Sequence, residues 1–201
     1  PGMKKALQEI VRNRLTSVER IEAAESTMDG HDVLKAVLRA DINNLQATLD
    51  EIDQDYFNQA VDMILSAKHI YIIGMRTSTT LADFLAIYLK LLLSPQDAVI
   101  GISFPRYSKR TISAMKFARD RGARCLGLTD GKVSPLNEIS DVCLYTKSEM
   151  VSFLDSLVAP LSMINALIMA VSARDRARTF ETFRELENVW KEYEVYGTVE
   201  S

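Results

Sequence analysis

Two stretches of this chain place hydroxyls and an arginine directly after a short apolar run. "GMRTSTT" (74–80) follows "IYII", and "SFPRYS" (103–108) follows "AVIGI". Each leads into a segment of helical periodicity, so its hydroxyls stand where a helix begins. The first backbone N–H groups of a helix have no intrahelical partner and the peptide dipoles add positive potential there, so such a place favours an anion. Arg76, Thr77 and Ser78 in one stretch, and Ser103, Arg106 and Ser108 in the other, are the candidate ligands. Each arginine brings a fork suited to phosphate or carboxylate. In one loop alone, such hydroxyls are ordinary helix caps and such an arginine is ordinarily solvated. Their repetition in two loops points to an anion site.

The elements that must position these loops alternate along the chain. Strand "IYII" leads to helix "TLADFLAIYLKLLL", and strand "AVIGIS" to helix "KRTISAMKFARDRG", with Gly122 as its closing C′ residue. Strand "RCLGL" leads into a loop containing "GKVSPLNEIS". Strand "VCLYT" then leads into a long helix after Met150, in which Pro160 marks a kink or a fresh start. Alternation at this spacing predicts a doubly wound α/β fold, a parallel sheet with helices on both faces. Ligands of such sheets bind beyond the carboxyl ends of the strands. "TDG" (129–131) and "TKSE" (146–149) fall at that end too, which adds Glu149 to the candidate ligands.

Before the first strand the pattern is helical. Residues 3–24 carry Leu7, Ile10, Val11 and Leu15 on one face, and "TMDGHD" interrupts with Asp29 or Asp32 as a cap. Leu34, Val37, Leu38, Ile42, Leu45 and Leu49 then form a continuous stripe at helical spacing, read as packing and long enough to suggest a homodimer. A further helix is expected at about 54–67. A last amphipathic helix, "FETFRELENVWKEY", sets Phe180, Phe183, Trp190 and Tyr193 at helical spacing for packing.

Composition narrows the class. The 201 residues are 47% hydrophobic and 25% charged, which is globular. A formal charge of −3 gives no general attraction to nucleic acid, although the first twenty residues are locally basic. Cys125 and Cys143 lie in apolar runs at no metal-binding spacing and read as buried reduced thiols, in keeping with a cytoplasmic protein. The longest apolar stretch contains Asp155 and Asn165 and reads as a core helix, so no membrane span is expected.

"YIIGMRTS", "DAVIGISFPRYSKRT" and "ARCLGLTD" together resemble the sugar isomerase (SIS) domain, a phosphosugar-binding module. With "ADINNLQATLDEI" before them, they resemble the RpiR/MurR family of bacterial transcription regulators. The resemblance covers roughly residues 30–175. It implies a SIS-type sheet that senses a sugar phosphate, in a protein whose N-terminal helix-turn-helix domain binds DNA. On it, residues 1–24 read as the closing helix of that domain and 25–201 as the effector-binding domain, acting as a homodimer or higher homo-oligomer. The second loop departs from the S-x-S-G-x-T form frequent in SIS domains. Ser103 matches and Ser108 replaces the threonine, but Pro105 stands at the second serine and Arg106 at the glycine. Pro105 removes a hydroxyl and a backbone donor, and Arg106 replaces them with a charged fork. SIS domains also usually carry a further strand and helix where "LKLLLSPQDAVI" makes a direct join.

The alternative implied by the resemblance is a sugar-phosphate isomerase, which needs a base and an acid. Glu149 reads equally as that base or as an acceptor for sugar hydroxyls. His69 falls at the start of a strand, the wrong end of the sheet, and His31 reads as a cap or an exposed residue. Without an acid–base pair the expectation is sensing, no catalysis, and no cofactor or metal.

Overall fold

The computed structural model describes residues 33–89, 97–149, 154–177, 179 and 180, together with 18, 19 and 184. The expected helix at 3–24 apart from Val18 and Glu19, the cap at Asp29 or Asp32, His31, the join at 90–96, and Phe183, Trp190 and Tyr193 lie outside the described residues.

Helices α1 (Val33–Glu51) and α2 (Gln54–Ser66) precede the sheet. Next along the chain come β1 (Ile70–Gly74), α3 (Ser78–Leu89), β2 (Ala98–Ile102), α4 (Lys109–Asp120), β3 (Arg124–Thr129), β4 (Val142–Tyr145) and α5 (Val158–Arg174). All strand pairs are parallel, in the order β1-β2-β3-β4, with Ile70 opposite Ala98, Ala98 opposite Arg124 and Leu126 opposite Val142. Every residue of β2 is buried, as expected of an interior strand whose near-continuous apolar run is covered on both faces.

The two faces are packed differently. Ile100, Ile102, Leu126, Leu128 and Leu144 point toward α2, α3 and α5 and form the larger core with Ile64, Leu85 and Ile164. Val99 and Cys125 point the other way, against Met115 of α4 and against Leu136 and Ile139 of the β3–β4 connection. The sheet is therefore doubly wound as expected.

Local signals account for the element ends. Asp53 caps α2, its carboxylate accepting from the N–H groups of Asp55 and Tyr56 at 2.9 and 3.1 Å. Gly122, at φ +83°, closes α4 through its N–H to Arg119 O, and Ala123 N–H reaches Ala118 O, which is a Schellman end. The long helix expected after Met150 starts only at Val158. Pro160 sits in its first turn, where the missing N–H costs no helical bond, so it marks a start and no kink.

Two features were not anticipated. All three connections between strands step in one direction across the sheet, yet α3 lies on one face while α4 and the β3–β4 connection lie on the other. The first crossover therefore has the opposite hand to the other two, against the strong right-handed rule. In a doubly wound sheet a change of face goes with a reversal of strand order. That reversal is lacking where the chain joins α3 directly to β2. A cavity of about 1230 Å³ runs along β1, the edge strand among the described residues, with Leu89 of α3 on one side and Phe117 of α4 on the other, and Tyr71 lies exposed there.

The second feature is the orientation of α1. Leu34, Leu38, Ile42 and Leu49 are exposed, while the buried residues of the helix are Asn44 and Thr48. Those four side chains of the stripe read as packing face outward, while Leu45 is half-buried.

Candidate functional site

The loops after β1 and β2 emerge side by side at the carboxyl end of the sheet, because β1 and β2 are neighbours in register. In the first loop Gly74 is required by close approach. A Cβ there would lie 2.3 Å from Ser78 O, a backbone atom that cannot yield. This contact presses the start of α3 onto the end of β1. Ser78 is buried at that start, Thr77 is exposed in the turn before it, and Thr79 donates its side-chain hydroxyl to Gly74 O at 3.3 Å.

In the second loop Ser103 is buried, and its Oγ accepts from the N–H of Ser108 at 3.1 Å. Ser108 is the N-cap of α4, its Oγ accepting from Thr111 N–H at 3.3 Å. The ordinary capping role thus applies to Ser108. As acceptors both hydroxyls keep their own hydrogen to donate. Thr129, at the end of β3, lies 2.7 Å from the carbonyl oxygen of Ser103 and so holds the base of this loop.

The two arginines are brought together. Arg76 Nη1 donates to the carbonyl of Arg106 at 3.2 Å, and both residues adopt left-handed backbone, φ +61° and +67°. Arg76 is exposed and Arg106 half-buried.

Glu149 stands apart from this cradle. It follows β4, which lies two strands beyond β2 and three beyond β1. Its side chain is exposed and its backbone is held by Asn44 of α1, whose Nδ2 donates to Glu149 O at 2.8 Å and whose Oδ1 accepts from Glu149 N–H at 3.0 Å.

Between them lies a group that the sequence reading placed at this end of the sheet but did not count among the candidate ligands. Asp130 follows β3, and the Tyr107 hydroxyl reaches both of its carboxylate oxygens, at 2.9 and 3.1 Å. Burial pushes the Asp130 carboxyl above the ordinary aspartate range, while hydrogen bonds from Tyr107 and Thr129 and the nearby Lys147 ammonium pull it partly back. The available signal was its place: an acid at the carboxyl end of an interior strand.

His69 sits at the opposite end of the sheet, as expected, with Nδ1 2.7 Å from Asp97 Oδ1. Cys125 and Cys143 are buried free thiols, and burial raises both above the usual thiol range. None of the candidate ligands lines the cavity along β1, which opens on the sheet edge.

A four-stranded parallel sheet wound on both faces, with two hydroxyl-bearing loops feeding helix N-termini, is the architecture of a SIS domain, and residues 89–170 match that family. Relatives and solved structures extend the likeness. The chain is 26% identical over 148 residues to an uncharacterised HTH-type transcriptional regulator of Clostridium perfringens, a match covering 64% of this chain and 53% of the relative. It resembles the sugar isomerase domain of an RpiR transcription factor from Sphaerobacter thermophilus, with 28% identity, TM-score 0.75, and 79% of this chain and 99% of that one covered. The Vibrio vulnificus NanR protein, solved in complex with ManNAc-6P, shares the fold at 18% identity and TM-score 0.71, with 88% and 75% covered. The chain spans about half the length of the Clostridium regulator.

Proposed function

We propose that this domain is the ligand-sensing part of a bacterial transcription regulator, binding a sugar phosphate or a related anionic metabolite without turning it over. One observation carries the reading: two helix-entering loops, each with a left-handed arginine, are tied to each other by the bond from Arg76 to the Arg106 carbonyl. Such a cradle suits a phosphoryl group. Glu149 follows β4 at the same carboxyl end of the sheet, and this reading assigns it to sugar hydroxyls. Arg76, Thr77, Ser78, Ser103, Arg106 and Ser108 hold the anion in this reading. The regulators among the relatives, and the phosphosugar bound by NanR, support it.

DNA contact belongs in this reading to an N-terminal helix-turn-helix domain, of which residues 1–24 are the closing helix, and 25–201 are the effector domain acting in the cytoplasm. No described helix is long and apolar enough to cross a membrane. The outward apolar stripe of α1 is assigned to a second copy of the chain in a homodimer or higher homo-oligomer.

The test is a thermal-shift screen against hexose 6-phosphates, N-acetylhexosamine 6-phosphates including N-acetylmannosamine 6-phosphate, and phosphorylated sugar acids. A ligand that binds only the folded state raises the melting temperature by mass action. No shift with any of them sinks the sensing reading. Turnover of a bound sugar phosphate that disappears in Glu149→Gln at unchanged affinity would favour the isomerase instead.

A further inference from the structure

The polar seam of α1 is the least expected feature of the fold. Asp41, Asn44, Thr48 and Glu51 recur at spacings that place them on one helical face, and each of them binds the chain that leaves β4. Ser156 Oγ donates to Asp41 at 2.6 Å, Lys147 N–H donates to Thr48 Oγ1 at 2.8 Å, and the Lys147 ammonium pairs with Glu51. Asn44, only 3% exposed, uses both ends of its amide on the backbone of Glu149. The apolar stripe lies about 100° around the helix from this seam, at 3.6 residues per turn. The side of α1 that faces Lys147, Glu149 and Ser156 is therefore held by directional bonds, each of which is either made or broken.

We propose that Asn44 is a positioning residue that couples Glu149, at the ligand end of the sheet, to α1, so that a sugar phosphate held there is sensed by that helix. Both backbone polar groups of Glu149 are bound by one side chain, so Glu149 cannot move without dragging α1 or breaking both hydrogen bonds of a buried amide. A buried amide stripped of its partners is costly, which leaves few intermediate positions. The bond from the Lys147 N–H to Thr48 and the Lys147–Glu51 pair make the adjoining residues move with it. By linkage the effect is reciprocal: whatever shifts α1 alters affinity at Glu149 by the same factor. The inference rests on the phosphosugar reading, and its test separates the two.

Sulfate probes the cradle alone, because it carries no sugar hydroxyls for Glu149, whereas a sugar phosphate does. Hydrogen–deuterium exchange is measured on the wild type with sulfate and with the same sugar phosphates as in the thermal-shift screen, and calorimetry on wild type, Asn44→Ala and Asn44→Asp. The expected result is slower exchange along α1 with a bound sugar phosphate but not with sulfate. In Asn44→Ala that protection is lost and sugar-phosphate affinity falls about fivefold or more, the lower end of typical coupling, while sulfate affinity stays put. Asn44→Asp, which keeps the acceptor for Glu149 N–H, recovers part of the loss. Exchange in α1 that ignores a bound sugar phosphate overturns the coupling, and this readout needs no variant to fold. Equal loss of sulfate and sugar-phosphate affinity in Asn44→Ala overturns it as well. A wild type that binds sulfate but no sugar phosphate, or neither, overturns the sensing reading and this inference with it.

Discussion

Arg76 donates a guanidinium N–H to the carbonyl of Arg106 across 3.2 Å, and both residues hold left-handed backbone. A side chain bearing a Cβ pays roughly 1–2 kcal/mol to sit in that region, so two such residues on adjacent loops need the surrounding structure to hold them. Gly74, Ser103 and Thr129 do so, by pinning the ends of β1 and β2 to the helix starts and the strand beside them. Strain of this kind collects at binding sites, where it fixes a shape before the ligand arrives. From sequence each arginine was expected to face the anion. In the folded chain Arg76 also orders the backbone of its neighbour.

If Arg106 grips an anion, Arg106→Ala weakens binding by about 1.5–3 kcal/mol, the range for a charge-assisted hydrogen bond. Arg106→Lys recovers part of that, since a point charge does not reproduce the fork. Ser103→Ala loses less than Arg106→Ala, as a neutral donor. Calorimetric titration of a binding sugar phosphate into the three variants checks this. Unchanged affinity in Arg106→Ala removes the cradle reading of "SFPRYS".

Glycine at the same position separates strain from binding. Arg106→Gly relieves the left-handed conformation and is expected to stabilise the fold by about 0.5–1 kcal/mol after the entropy of the unfolded glycine is counted. Anion affinity falls as in Arg106→Ala. Urea denaturation read beside calorimetry gives both numbers. A variant that loses stability would mean that the arginine side chain, through its own contacts, outweighs the backbone strain.

Asp130 gives a pH signature. Its folded-state pKa is raised by burial, so its favourable contribution is complete below the ordinary aspartate value and is lost as pH rises through the folded value. Asp130→Asn, neutral throughout and still able to accept from Tyr107, is therefore expected to gain stability relative to wild type as pH rises from about 4, near the ordinary aspartate value, toward neutrality. Melting temperatures of the two proteins across that range test the sign. A difference independent of pH would show that the buried carboxylate carries no such linkage.

The outward stripe of α1 makes a prediction about assembly. Ile42→Glu places a charge on an exposed apolar face, so it is expected to shift the chain toward monomer in sedimentation experiments. At concentrations where wild type is already dissociated, the melting temperature changes by little, because surface substitutions usually move stability by no more than about 0.5 kcal/mol. An unchanged sedimentation profile would assign the stripe to some other partner.

Much of this fold is local information. "AVIGI" reads as an interior strand because each of its side chains is apolar or absent, and all are buried. Gly122 announces the end of α4 because the left-handed position there favours glycine. The placement of Ser103, Arg106, Ser108 and Arg76 beyond strand ends follows from the alternation of elements alone. Periodicity also identifies which residues of α1 share a face, but not which face the domain takes. The choice fell to Asn44 and Thr48, whose partners lie 105 and 99 residues further on. The same holds for Tyr107 meeting Asp130, for the opposite hand of the first crossover, and for the arginine that binds the other's backbone. Each depends on groups far apart in the chain becoming neighbours, and a spacing pattern carries no term for that.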